Sequence, residues 1–310
     1  MRYPNRPNIR TLGLSTILAV AAVGTPRPSF AGDPLPPEVV AMIDAAAANS
    51  DADLETVANI ARKTNPNAIA SIDALVKHWR TAATEARLQK LAEQGYLQGI
   101  TGQGEAGFNT SSGNTQSTGI ALGLAAAKET LRWKHAVKAS VDYQRDYGVT
   151  SKERLFAGYE GTFKFRPRIY TVIVLNWERD RFAGFDSRFS QSLGIGYKVI
   201  NQPKLKVGIE AGPALRETRY APGELETNLS WRSAGLAEWA IAPSTKLTQN
   251  VSVYLEDQKH TSLAATSALT TKVTGALSAR ASFVVQYESD PPLDLRKTDT
   301  TTRFTLVYGF

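Results

Sequence analysis

The chain has 310 residues, a formal net charge of +7 from 36 basic and 29 acidic side chains, and no cysteine, which excludes disulfide frameworks and thiol chemistry. Four arginines, Arg2, Arg6, Arg10 and Arg27, fall in the first 31 residues, which hold no acid, so the remainder carries +7 less four, or +3. Those remaining charges are interspersed and form no basic stripe with stacking aromatics, which argues against a nucleic-acid partner.

Residues 1–31 place three arginines before the apolar run Leu12 to Val23 and end in Ser29-Phe30-Ala31, a small-x-small cleavage pattern. This predicts a secretory signal peptide cut after Ala31. The apolar run is short of the ~20 residues that a spanning helix needs.

Residues 32–97 are rich in Ala and helix formers, without strand patterning, and predict a small periplasmic α-helical segment. Pro36-Pro37 with Glu38 reads as one helix start, with proline in the first turn and an acid near the positive helix end. Asp51-Ala52-Asp53 ahead of Leu54, Val57 and Ile60 reads as a second. The longest helix is predicted from near Asn67, with Ile69, Ile72, Leu75, Val76 and Trp79 at helical spacing, and a weakly apolar distal part from Ala82 to Gln94.

From residue 98 to 310 the period becomes two. In the stretch from Arg132 to Gln144, Trp133, His135, Val137, Ala139, Val141 and Tyr143 share one face, and the other is almost all polar. Leu155 to Phe165 and Phe189 to Val199 repeat the pattern, with Gln191 the exception on the apolar face. Strands are predicted near 101–110, 117–127, 131–145, 153–165, 168–179, 187–200, 204–217, 228–241, 245–257, 262–273, 276–289 and 299–310. The last ends on alternating Leu306, Tyr308 and Phe310, as a barrel-closing strand does. About twelve strands, with short turns at one end and longer loops at the other, predict an all-β fold: an antiparallel transmembrane outer-membrane β-barrel with both ends in the periplasm. Its partners would be outer-membrane lipids and, through the C-terminal strand, the barrel-assembly machinery.

Alternation assigns the charges Glu105, Arg132, Lys138, Glu160, Glu210, Arg232, Glu238, Arg280 and Arg303 to the lumen. In a barrel this narrow opposite charges should meet. They make either a charged constriction in a small-solute or ion pore or a salt-bridged, largely closed interior. Lys134, Lys164, Lys198, Lys204, Lys206, Lys246 and Lys272 gather toward the periplasmic end. Residues 32–97 are net acidic, so two readings stand: the helices dock on this basic mouth and gate it, or the lysines snorkel to phospholipid head groups. The helical segment could also hold a periplasmic partner.

No catalytic, cofactor or metal constellation emerges. His78 lies beside Trp79, His135 on the lipid-facing side, and His260 only two residues from Ser262, a poor geometry for a lipid-cleaving serine and histidine. The acids between Glu178 and Asp186 could hold calcium, but Arg179, Arg181 and Arg188 are close enough to pair with them.

Gly102-Gln103-Gly104-Glu105-Ala106-Gly107-Phe108, Ser112-Gly113-Asn114-Thr115, Trp133-Lys134-His135, Glu178 to Phe182, Gly194-Ile195-Gly196-Tyr197 and Lys297-Thr298-Asp299-Thr300, in that order, resemble the YdiY-like family of salt-induced outer-membrane proteins, a β-barrel domain of unknown function 481. The resemblance implies location and fold, and a link to salt. Three functions are then expected in turn: a narrow channel tied to the osmotic or salt response of the envelope, a non-conducting structural or interaction barrel, or a lipid-modifying enzyme.

Overall fold

The computed structural model describes residues 34–95, 98–112, 117–146, 149–220, 223–256, 260–291 and 296–310. The predicted signal peptide, residues 1–31, lies outside the described residues.

Three helices come first: α1 (Pro37–Asn49), α2 (Asp51–Thr64) and, after a 3₁₀ turn at Pro66–Ala68, α3 (Ile69–Glu93). Pro37 starts α1, where its missing N–H costs nothing, and Ser50 caps α2 by accepting the Asp53 amide at 3.0 Å. Ile43, Leu54, Ala58, Ala61, Ile72, Leu75 and Val76 form their common core. Trp79 of α3 donates its indole N–H to Asp44 of α1 at 2.8 Å. From Thr81 to Glu93 almost every residue is exposed, so the distal half of α3 lies outside that core. No described helix is long and apolar enough to cross a membrane.

Twelve antiparallel strands follow: β1 (Ile100–Ser112), β2 (Ser117–Glu129), β3 (Trp133–Asp146), β4 (Val149–Lys164), β5 (Ile169–Asp180), β6 (Phe185–Asn201), β7 (Leu205–Tyr220), β8 (Leu225–Ala242), β9 (Thr245–Glu256), β10 (His260–Lys272), β11 (Leu277–Glu288) and β12 (Thr298–Gly309). Each pairs with its sequence neighbours, and β12 pairs with β1 from Gln103↔Gly309 to Ser112↔Thr300, which closes the barrel. Phe310 completes the seam by exchanging backbone hydrogen bonds with Gly102 at 2.8 and 2.9 Å. Closure leaves no unpaired sheet edge, the condition for a sheet to exist in lipid.

The exterior carries Leu193, Ile195, Ile209, Leu229, Leu122 and Leu124, all exposed. Rings of aromatics flank this band: Trp133, Phe165, Tyr197, Trp239 and Tyr308 toward the end that holds both barrel termini, and Phe108, Trp177 and Trp231 toward the other. An apolar outer band between aromatic girdles around a polar interior is the signature of an outer-membrane barrel. Leu306, Tyr308 and Phe310 all face outward and are exposed.

At the termini end residues 130–132, 202–204 and 243–244 link strands; at the other end 181–184 is the connection that lies wholly within the described residues. The strands run on beyond the alternating apolar pattern, because backbone pairing needs no apolar side chain. β7 and β8, for example, stay paired out to Arg219↔Leu225.

A braced luminal site

Two contiguous cavities of about 500 Å³ each occupy the barrel axis. One reaches the termini-side mouth at Lys206 and Glu238, the other runs to Ser262 and Glu288, and both are lined by Gln103, Glu105, Arg280 and Arg303. Strand alternation delivers these side chains, since every second residue must point inward.

The inward charges form pairs. Arg280 of β11 donates to Glu105 of β1 at 2.7 Å. Arg303 of β12 reaches Asp142 of β3 at 2.5 Å, and Asp142 also accepts from Asn109, which in turn accepts from Gln144. Glu210 of β7 is clasped from two sides at 3.0 Å, by the Arg232 guanidinium and by the Tyr170 hydroxyl, and Tyr170 stacks with Val172 and Val174 into an apolar luminal rib on β5.

Toward the other end three arginines and three glutamates join. Glu178 accepts from Arg154 at 3.2 Å and lies 3.8 Å from Arg188. Arg188 of β6 donates to Glu288 of β11 at 2.6 Å. Arg216 pairs with Glu256 and donates to Ser262 at 2.8 Å, while Ser262 donates to Glu288 at 2.5 Å. Since β6 and β11 stand nearly opposite in the ring, the Arg188–Glu288 pair crosses the lumen.

Lys138 differs from the arginines. Its ammonium stands 5.2 Å from the centre of the Phe156 ring, and Glu160 acts on it only electrostatically, with no ion pair within 4.0 Å among the described residues. Its side chain is exposed within the cavity it lines, whereas the arginines lining that cavity are buried or half-buried. Lys138, Arg154, Arg188, Arg216, Arg232, Arg280 and Arg303 face this void, against the carboxylates of Glu105, Glu160, Glu178 and Glu288.

At the termini-side rim Lys134, Lys164, Lys198, Lys206, Lys246 and Lys272 share the inward parity of their strands. The carboxylates among them are Glu129, which takes Lys164 at 2.7 Å, and Glu238, which takes Lys246 at 3.3 Å. Lys204 sits in the turn before β7. Of the residues assigned to the lumen by alternation, Glu105, Lys138, Glu160, Glu210, Arg232, Arg280 and Arg303 line a cavity or bond across it, and Glu238 stands at the mouth. Arg132 instead lies in the turn between β2 and β3, exposed, because the strand starts one residue later. Arg154, Arg216, Asp142, Glu256 and Glu288 join the luminal charges, placed inside by the same parity rule, and Arg188, expected to pair with the acids between Glu178 and Asp186, lies 3.8 Å from Glu178.

The helices touch the rim through Arg87, whose guanidinium meets Glu129 at 2.6 Å, and through Lys128, which donates to the carbonyls of Gly95 and Gln98. At the Arg87–Glu129 contact the base is on the helix and the acid on the rim, the reverse of acidic helices on a basic mouth, whereas Lys128 of the barrel meets backbone carbonyls that follow α3. His260 bonds to Asp290 at 2.9 Å while Ser262 is held by Arg216 and Glu288, so this imidazole and hydroxyl are not partners.

The profile of a family described as "Protein of unknown function, DUF481" matches residues 104–310, the barrel from early β1 to its end. The chain belongs to the DUF481 family. This DUF481 chain is 27% identical over 207 residues to "Uncharacterized protein YdiY" of Escherichia coli (strain K12), covering 66% of the chain and 80% of that protein. Among solved structures, the NanC porin aligns at TM-score 0.46 and 9% identity over 67% of this chain and 98% of its own. An outer membrane channel from Pseudomonas putida F1 aligns at TM-score 0.46 and 10% identity over 68% and 96%. The DUF481 match covers the luminal charges and leaves the helical segment outside.

Proposed function

We propose that this DUF481 barrel is a narrow ion-conducting pore of the outer membrane, with its helical segment and both barrel ends in the periplasm. The carrying observation is the pair of contiguous charged cavities that meets at Glu105 and Arg280. Cavities of about 500 Å³ leave room for water and small ions, and the ion pairs that cross them narrow the path between. Salt enters the same reading: the pairs that narrow the lumen are charge pairs, and mobile ions screen those in contact with water.

The test is single-channel recording on the chain beginning at Gly32, refolded in lipid, beside a chain beginning at Glu93. Current steps of similar size in both are expected, because the helices pack on one another and meet the rim through Arg87 and Lys128. Silence from both, with heat-modifiable gel mobility showing that the barrel has formed, would favour the second reading, a non-conducting structural barrel. One observation supports that alternative: the Arg188–Glu288 pair spans the lumen as an internal strut.

A further inference from the structure

We infer that the lumen prefers small inorganic anions and that Lys138 sets this preference; the inference rests on the pore reading above. Three placements carry it. Each luminal arginine has a carboxylate within 4.0 Å, which offsets its charge locally, whereas Lys138 presents its ammonium to the void with none at that distance among the described residues. Six arginines and Lys138 line the inner cavity against the carboxylates of Glu105, Glu160, Glu178 and Glu288, while Asp142, Glu210 and Glu256 pair with Arg303, Arg232 and Arg216 without lining it, so Lys138 is the lining cation whose charge no close carboxylate offsets among the described residues. The rim repeats the imbalance, with six inward lysines against Glu129 and Glu238.

A permeating anion therefore meets a basic vestibule and then, in the inner cavity, the Lys138 ammonium over the Phe156 ring. Low-dielectric walls focus that field, and focusing of this kind enriches counter-ions roughly tenfold or more. Glu160, the acid that acts on Lys138 most strongly, lies beyond ion-pair distance and leaves the ammonium available to an incoming anion.

The test is the reversal potential of the chain from Gly32 in a planar bilayer under a tenfold KCl gradient. Chloride preference is expected in the wild type, reduced in Lys138→Gln and inverted in Lys138→Glu, with Lys63→Gln on α2 unchanged as a charge control. A cation-preferring or unselective wild type overturns the inference, as does an unshifted reversal potential in a folded Lys138→Glu barrel. If the folded wild type passes no current, the pore reading fails by itself, and diffraction from crystals grown in bromide decides the anion site. Anomalous density beside Lys138 would sustain the site, and its absence there would end it.

Discussion

Arg188 on β6 and Glu288 on β11 join at 2.6 Å across the barrel, although 100 residues separate them in the chain. Neither is held by that bond alone. Arg188 also donates to Thr218 at 3.2 Å and lies over the Phe185 ring, and Glu288 accepts from Ser262. The strut therefore links β5, β6, β7, β10 and β11 at one level of the lumen. Arg188 is buried and Glu288 half-buried, so removing the arginine leaves a partly desolvated carboxylate without its main partner, and Arg188→Ala is expected to destabilise the barrel by about 2 kcal/mol. Tryptophan fluorescence during urea unfolding in micelles reads this directly. Arg188→Met with Glu288→Leu should recover most of the loss, because two apolar groups of similar size leave no orphaned charge. A double variant no more stable than Arg188→Ala would show that the pair is not the main tie at this level.

The exterior makes a separate prediction. Leu193, in the middle of β6, is exposed, while Ser192 beside it is buried in the wall. Arginine at a lipid-facing midplane position costs roughly 2–4 kcal/mol and near the interface about 1 or less. Leu193→Arg should therefore lower stability in lipid vesicles by that larger amount. Leu225→Arg, at the far end of β8, should cost little. Equal effects at the two positions would mean that the apolar band does not sit in lipid as described.

The barrel was legible because lipid outside and water inside demand opposite side chains at alternate positions. Trp133 to Tyr143 and Phe189 to Val199 show this directly, and the family resemblance pointed to the same fold. Strand ends were less legible: β8 continues to Leu225, three residues before its predicted start, on backbone pairing alone. Parity also places a charge inside without saying which strand it faces. Arg303 could be assigned to the lumen from its neighbours, but its bond to Asp142 depends on the curvature that brings β12 toward β3. Arg132 shows the converse failure, since parity loses meaning once the strand has given way to a turn. In the helical segment the starts at Pro37 and Asp51 were visible from proline and acid placement. The contact of Arg87 with Glu129 was not, because it depends on where the linker turns the chain.

The helical segment should respond to acid. Glu55 sits between Arg80, at 2.5 Å, and Arg62, at 3.2 Å. Burial works to raise its pKa, but the hydrogen bonds and charges of the two arginines outweigh this and hold it below the ordinary carboxylate range. A depressed folded-state pKa adds stability that is complete above the ordinary Glu value near 4.3 and is lost as pH falls through the lowered one. Hydrogen exchange of the full chain should show protection of residues 50–80 that is flat from neutral pH to about 5 and falls at lower pH. Glu55→Gln should remove much of that acid dependence. A segment equally protected at pH 3 and pH 7 would show that these pairs contribute nothing there.

Gly196 allows the Tyr170–Glu210 clasp to form. A Cβ at Gly196 would lie 2.1 Å from Cζ of the Tyr170 ring, and the register places Tyr170 directly opposite Gly196 across β5 and β6. The ring thus lies over bare backbone, and from there its hydroxyl reaches Glu210 at 3.0 Å. Gly196→Ala must push the ring aside and deprive a carboxylate only 4% exposed of one of its two donors. Overpacking costs about 1–3 kcal/mol and a lost hydrogen bond to a charged group a comparable amount, so destabilisation of roughly 3 kcal/mol is expected. Tyr170→Phe separates the contributions, since it keeps the ring and removes only the hydroxyl. It should cost about half as much, and in the Tyr170→Phe background Gly196→Ala should show only the steric part. If instead the two substitutions add fully, the alanine leaves the hydroxyl on Glu210 and the ring moves without breaking the clasp.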